Sequence, residues 1–170
     1  MSIIDGHLQI PGILDMFRRF VPGFAHVVLD SISPAIGIRE SRRFAGLEQL
    51  TVDRVLAGAV PADTVALGGY KVDIHNGEGK GTILKQVKQP YGIPLGCLIS
   101  ADVDGLLLSG RCISMDSPTL GSMRIMPTCM AIGEAVGVCA AHAVQKGVSV
   151  REVPADTVTA DLLAAGAILK

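Results

Sequence analysis

Three groups of residues in this chain have the types and spacing to do chemistry. The first is the run "GLLLSGRCIS", in which Gly110 and Arg111 follow a short apolar stretch, together with the helix-like "PTCMAIGEAVG" after it. An apolar run ending in Gly resembles a strand buried on both faces of a mostly parallel sheet, and ligands of such sheets lie beyond the carboxyl ends of the strands. A helix that opens on Pro127, Thr128, Cys129 and Met130 turns its first amides toward an electron-rich group. Those amides have no partner within the helix, and the peptide dipoles add at that end. The second group is Arg39, Arg42 and Arg43 in "GIRESRR". Guanidinium forks clamp a carboxylate or a phosphate, and they equally form a structural network with Glu40 and Glu48. The third is His75 at a strand end, with Asp73 two residues back on the same face, which reads equally as an acid or base or as a loop histidine satisfying backbone groups.

The remaining reactive side chains offer less. Cys129, at a helix start, is expected to have its thiol pKa lowered, but no base stands near it in sequence, so its expected contribution is through the backbone. Tyr91 could donate into a site, although a packed ring with a satisfied hydroxyl is the expectation. His7, His26 and His142 lack partners in sequence and read as surface or packing residues. Cys97, Cys112, Cys129 and Cys139 fall at wide, irregular intervals without Cys-x-x-Cys or a nearby His pair, which argues against zinc or an iron–sulfur cluster. No metal is expected.

The elements that must position these groups can be read from periodicity. Residues 11–30 place Ile13, Met16, Phe17 and Phe20 on one helical face before Pro22 and Gly23, and then resume at Phe24, which predicts two short helices with a kinked join. Thr51 reads as an N-cap and Gly58 as the stop of a short helix. "TVALGGYKVDIHN", "TILKQVKQPYGIPLGCLIS" and "GLLLSGRCIS" have strand character, with "GEGKG" a hairpin turn. A helix beginning at Pro127 should run to about Gln145 and stop at Gly147, and a last one should span about residues 157–165. Along the long helix Cys129, Gly133, Gly137 and Ala141 recur every four residues and form a smooth face suited to lying on a sheet.

Composition sets the outer limits. The 170 residues are 49 % apolar, with 20 Gly, 9 Pro and no Trp, as in a loop-rich α/β protein packed by aliphatic side chains. The formal net charge is −1 and no basic stripe appears, so nucleic acid is not an expected partner. The first residues carry no basic leader, and Glu134 and His142 interrupt the only long apolar run, so a cytoplasmic protein without a bilayer helix is expected. No Gly-x-Gly-x-x-Gly turn stands between a strand and a helix.

Four separated motifs, "IGIRESRR", "GGYKVDIH", "LLLSGRCIS" and "GSMRIMPTCMAIGEAVG", resemble the C-terminal part of the FAD-dependent oxidoreductases related to the succinate dehydrogenase and fumarate reductase flavoproteins. The likeness runs from about Ala35 to Gln145. It implies an α/β chain forming the C-terminal segment of a two-part FAD-binding fold. Residues 1–100 would be the end of an inserted substrate domain and residues 101–170 the FAD-domain segment, and the N-terminal Gly-rich, ADP-binding half would be missing. Where many relatives carry a His in the loop, Ser117 stands here.

The resemblance further implies that Gly110 and Arg111 lie near the ribityl and pyrophosphate region. Ser122 and Pro127 to Met130 would line the cofactor, with the helix amides stabilising negative charge that develops at the N1/O2 edge of the flavin. Arg124 would stand near the ring or substrate, Arg39 would clamp substrate, and His75 would act as acid or base. Such a chain would move hydride between a small organic substrate and flavin once completed by a partner chain or a longer gene product carrying the Gly-rich half. With half of the site missing, FAD is expected to bind the isolated chain weakly or not at all, and the alternative is a catalytically silent truncated domain that binds no FAD on its own. Either way the surface left uncovered predicts a homo-oligomer.

Overall fold

The structure is a computed structural model that describes residues 3–35, 37–75 and 81–169. Two compact units divide the chain, Met1–Ile38 and Arg39–Lys170.

In the first unit, helix α1 spans Ile3–Phe20, with Pro11 inside it and Arg18 and Arg19 in its last turn. The expected second helix after Pro22 does not form. Arg18 instead donates two hydrogen bonds to the Val27 carbonyl, at 3.1 Å from Nε and 2.9 Å from Nη2. Phe17 and Phe24 meet with ring centroids 5.3 Å apart.

The second unit holds α2 (Val52–Ala57), β1 (Thr64–Gly68), β2 (Val72–His75), β3 (Thr82–Lys85), β4 (Tyr91–Pro94), α3 (Ser117–Met123), α4 (Met126–Lys146) and α5 (Ala155–Ala164). Short 3₁₀ turns occur at Leu95–Leu98, Gly110–Cys112 and Val150–Glu152. The strands form two antiparallel pairs, β1 with β4 and β2 with β3. The unit is therefore mixed α/β, but not the mostly parallel sheet expected from "GLLLSG". Residues 102–105 turn that run straight back on its predecessor: Ser100 N donates to Leu106 O at 3.0 Å and Leu108 N to Leu98 O at 2.7 Å. Only an isolated antiparallel bridge, Ile99 to Leu107, results. The β2–β3 register, Val72 with Lys85 to His75 with Thr82, suits a hairpin. Most of "GEGKG" itself lies outside the described residues.

One core runs through the second unit. Leu50, Val55, Val65, Tyr91, Ile93 and Leu98 pack with Ile113, Met123, Ile132, Val158 and Leu162, all essentially inaccessible. Residues before and after position 100 share that core, so the boundary expected there does not appear as a break in packing.

Gly58 and Gly147 close α2 and α4 in the left-handed region, at φ 66° and 63°, as expected. Thr51 occupies the N-cap of α2 but makes no side-chain cap. A residue far along the chain takes its place. Asp116 accepts from Val52 N at 2.9 Å through Oδ2 and from Thr119 N at 3.0 Å through Oδ1, so a single carboxylate caps α2 and α3.

Helix α4 turns the opposite face inward from the one its small residues suggested. Thr128, Ile132, Ala135, Cys139 and Ala143 are buried, packing toward β1 and α5, while Gly133, Gly137 and Ala141 face solvent. Met126, Met130 and Val144, exposed by 79 %, 74 % and 82 %, flank that stripe. Ile132 offers more apolar area to the core than any glycine can, which decides the rotation. By length and composition alone α4 could also cross a membrane. His142, expected to lack a partner, joins α4 to α5 through Nε2 to Asp161 Oδ2 at 2.7 Å.

Candidate active site

The site is built from α3 upward. Asp116 followed by Ser117 and Pro118 is an N-cap with proline in the first helical turn, and this pattern starts α3. That pattern is the sequence signal for a helix in a segment whose composition otherwise reads as a polar loop. Gly121 then brings α3 against β2 more closely than any other residue could: a β-carbon there would lie 2.7 Å from the Asp73 carbonyl oxygen and 3.0 Å from its nitrogen. One turn later, Arg124 reaches back to β2. Its Nη2 lies 3.4 Å from Asp73 Oδ2 and 3.5 Å from the Asp73 carbonyl, and both side chains are 17 % exposed.

Between these elements lies a cleft of about 330 Å³. Arg39, Glu40, Asp73, Ser117 and Arg124 give it charge and polarity, and Ile74, Pro118 and Leu120 give it an apolar floor. Glu40 is already engaged, accepting from Arg43 and from Ser117 Oγ at 3.2 Å. Glu48 pairs with Arg54. The structural network considered for the arginine cluster thus takes Arg43 and leaves Arg39 and Arg42, neither of which has a hydrogen bond or ion pair among the described residues; of these two Arg39 lines the cleft. His75 is the last residue of β2, directly after cleft residue Ile74, and its side chain lies outside the described part of the structure.

The residues expected at a cofactor separate into two sets. Gly110, with φ 71°, opens the 3₁₀ turn Gly110–Cys112, which packs on α4. Arg111 is exposed and near enough to Cys129 to act on its thiol. Pro127 and Met130 are exposed at the start of α4. Ser122 and Thr128 are buried instead. The Ser122 hydroxyl donates to the Tyr70 carbonyl and accepts from Tyr91 Oη at 2.9 Å, so its side chain is spent inside the core. Tyr91 is accordingly the packed tyrosine with a satisfied hydroxyl, and burial pushes its pKa up to about 12. Burial also raises the Cys129 thiol above its ordinary value, against a lowering influence from Arg111. The expected helix-start activation fails because Cys129 is the fourth residue of α4. Its amide is already bonded to Ile125 O at 3.1 Å, and its side chain turns toward the protein.

These features fit the flavin end of a cofactor. Ile125, at the N-cap of α4, has no side-chain oxygen to cap the first turn, so the amides of Met126 and Thr128 have no side-chain cap there. Among the described residues no group of three His, Cys, Asp or Glu side chains could hold a metal ion. The chain belongs to the FAD dependent oxidoreductase family, whose model matches residues 2–162. That membership supports a flavin-linked redox role, with FAD as the family's cofactor. No curated protein and no solved structure matches the chain.

Proposed function

We propose that this chain is the substrate-side and flavin-edge portion of an FAD-dependent oxidoreductase related to the succinate dehydrogenase and fumarate reductase flavoproteins. The observation that carries the proposal is the cleft, where Arg39 and Arg124, both singled out for substrate, share one lining. When bound, FAD would supply the hydride acceptor or donor. The chain's own residues do the rest: Arg39 takes substrate charge, Asp73 holds the Arg124 guanidinium in place, and His75 holds or releases the proton that accompanies the hydride. Gly110, Arg111 and the amide of Thr128, which precedes the first intrahelical bond of α4 at Cys129, would hold the ribityl chain and the pyrimidine edge. The ADP half of the cofactor calls for a Gly-rich segment, in the same polypeptide or in a partner chain. A cytoplasmic, self-associating protein completes the proposal.

A second reading, a silent domain that self-associates without FAD, is favoured by the exposed Met126, Met130 and Val144 on α4. Amide chemical shifts of the isotopically labelled chain during titration with FAD separate the two. Perturbation concentrated at Gly110, Arg111 and residues 128–130 is expected. Shifts absent at millimolar FAD, or scattered over the surface, would overturn the flavin assignment and leave the silent domain.

A further inference from the structure

We infer that the α3–β2 cleft selects a small organic monocarboxylate, with Arg39 as its single anion anchor. The inference rests on reading this cleft as the substrate side of the site. The charges around it are largely matched from within: Asp73 answers Arg124, and Glu40 answers Arg43. Among the described residues lining the cleft, Arg39 is the one charged group with no hydrogen bond or ion pair, so the cleft presents one uncommitted guanidinium. A dianion entering it would leave its second charge beside Glu40 and Asp73, where the arginines are already committed. A monocarboxylate leaves none.

Size and lining narrow the class further. At about 330 Å³ the cleft lies at the small end of ligand clefts. Ile74, Pro118 and Leu120 offer a short apolar surface for the body of the ligand, and the Ser117 oxygen at the rim, whose proton goes to Glu40, can accept from a hydroxyl on it. The guanidinium fork of Arg39 suits the two oxygens of a carboxylate, and a lysine would not reproduce that geometry. Glu40 tunes the preference. Replacing it with glutamine releases Arg43 from its ion pair and raises the net charge around the cleft by one, which should open the site to dianions.

Butyrate, succinate and inorganic phosphate, titrated into the chain without flavin and followed by the Ser117, Gly121 and Ile74 amide shifts, test this. Butyrate should saturate these shifts and bind more tightly than succinate or phosphate. Arg39→Gln should weaken butyrate by about ten- to hundredfold, the loss expected for a charge-assisted hydrogen-bonded pair, and Arg39→Lys should recover only part of it. Glu40→Gln should shift the preference toward succinate. Butyrate binding unchanged in Arg39→Gln, saturation by succinate in preference to butyrate in the wild type, or no saturable carboxylate binding would each overturn the inference. The flavin assignment fails separately, at the amides of residues 110–111 and 128–130, so the two failures are distinguishable.

Discussion

Asp116 offers a stringent test, because one carboxylate serves two helices that come together only in the folded chain. Helix α2 has six residues and α3 seven, so each leaves most of its amides without intrahelical partners and depends on its cap. Asp116 bonds the first amide of α2 at 2.9 Å and the Thr119 amide in α3 at 3.0 Å. Each such cap contributes about 1 kcal/mol, and the negative charge beside two helix N-termini adds roughly 0.3–1 kcal/mol apiece. Asp116→Ala should therefore cost about 3 kcal/mol. Asp116→Asn, which keeps one acceptor oxygen and turns an NH₂ toward the other amide, should cost about half as much. The chain has no Trp, so urea unfolding is best followed by circular dichroism at 222 nm. With a slope of about 1–3 kcal/mol/M, the alanine midpoint should fall by roughly 1–3 M. Equal losses in the two variants would refute the division of the carboxylate between helices, and an unchanged midpoint for Asp116→Ala would refute the double cap altogether.

The same substitution should act with opposite sign at two helical glycines. Gly121→Ala drives a β-carbon into the backbone of Asp73 and should cost about 1–3 kcal/mol while displacing the Arg124 pair. Gly137→Ala meets nothing within 4 Å and should stabilise the chain by up to about 1 kcal/mol in thermal unfolding; a loss there would mean that another surface packs on α4. Ser122→Ala strips partners from both the Tyr70 carbonyl and the Tyr91 hydroxyl and should cost about 2 kcal/mol, more than the roughly 1 kcal/mol of Tyr91→Phe, with denaturant midpoints giving the order. Burial, reinforced by Glu48, pushes the Cys97 thiol up from 9.0 to about 12, and burial raises Tyr91 from 10.0 to about 12. Both groups stay neutral in the folded protein while the unfolded chain ionises. Their stabilisation is complete below pH 9 and is lost as pH rises toward 12, with a slope of up to about 1.4 kcal/mol per pH unit for each group. In Cys97→Ala the decline should start nearer pH 10, and an identical pH profile would contradict the burial of this thiol.

What was legible in the sequence was decided within a few residues. Gly58 and Gly147 end their helices because their left-handed conformation closes the preceding turn. Helices α4 and α5 lie close to their expected spans, and the four family motifs led to the FAD dependent oxidoreductase family that the chain matches. The charged groups of the candidate site were also visible as residue types. Which arginine serves the cleft was not, because Arg39, Arg42 and Arg43 are equivalent in sequence until Glu40 takes Arg43 and, of the other two, Arg39 lines the cleft.

Tertiary structure decided the rest. The antiparallel return of residues 106–108 replaced an expected parallel strand because backbone pairing depends on where the chain turns, and residues 102–105 turn it at once. The smooth glycine face of α4 lies outward because rotation of a helix is set by the total apolar area it buries, not by the regularity of one stripe. Cys129 kept a raised pKa because desolvation outweighed its place near a helix start. Local sequence set where α4 and α5 begin and end, since hydrogen bonds within a turn involve near neighbours. Which faces meet, which charges are neutralised and which guanidinium is left for a ligand are sums over residues distant in the chain, and only the folded structure brings those residues together.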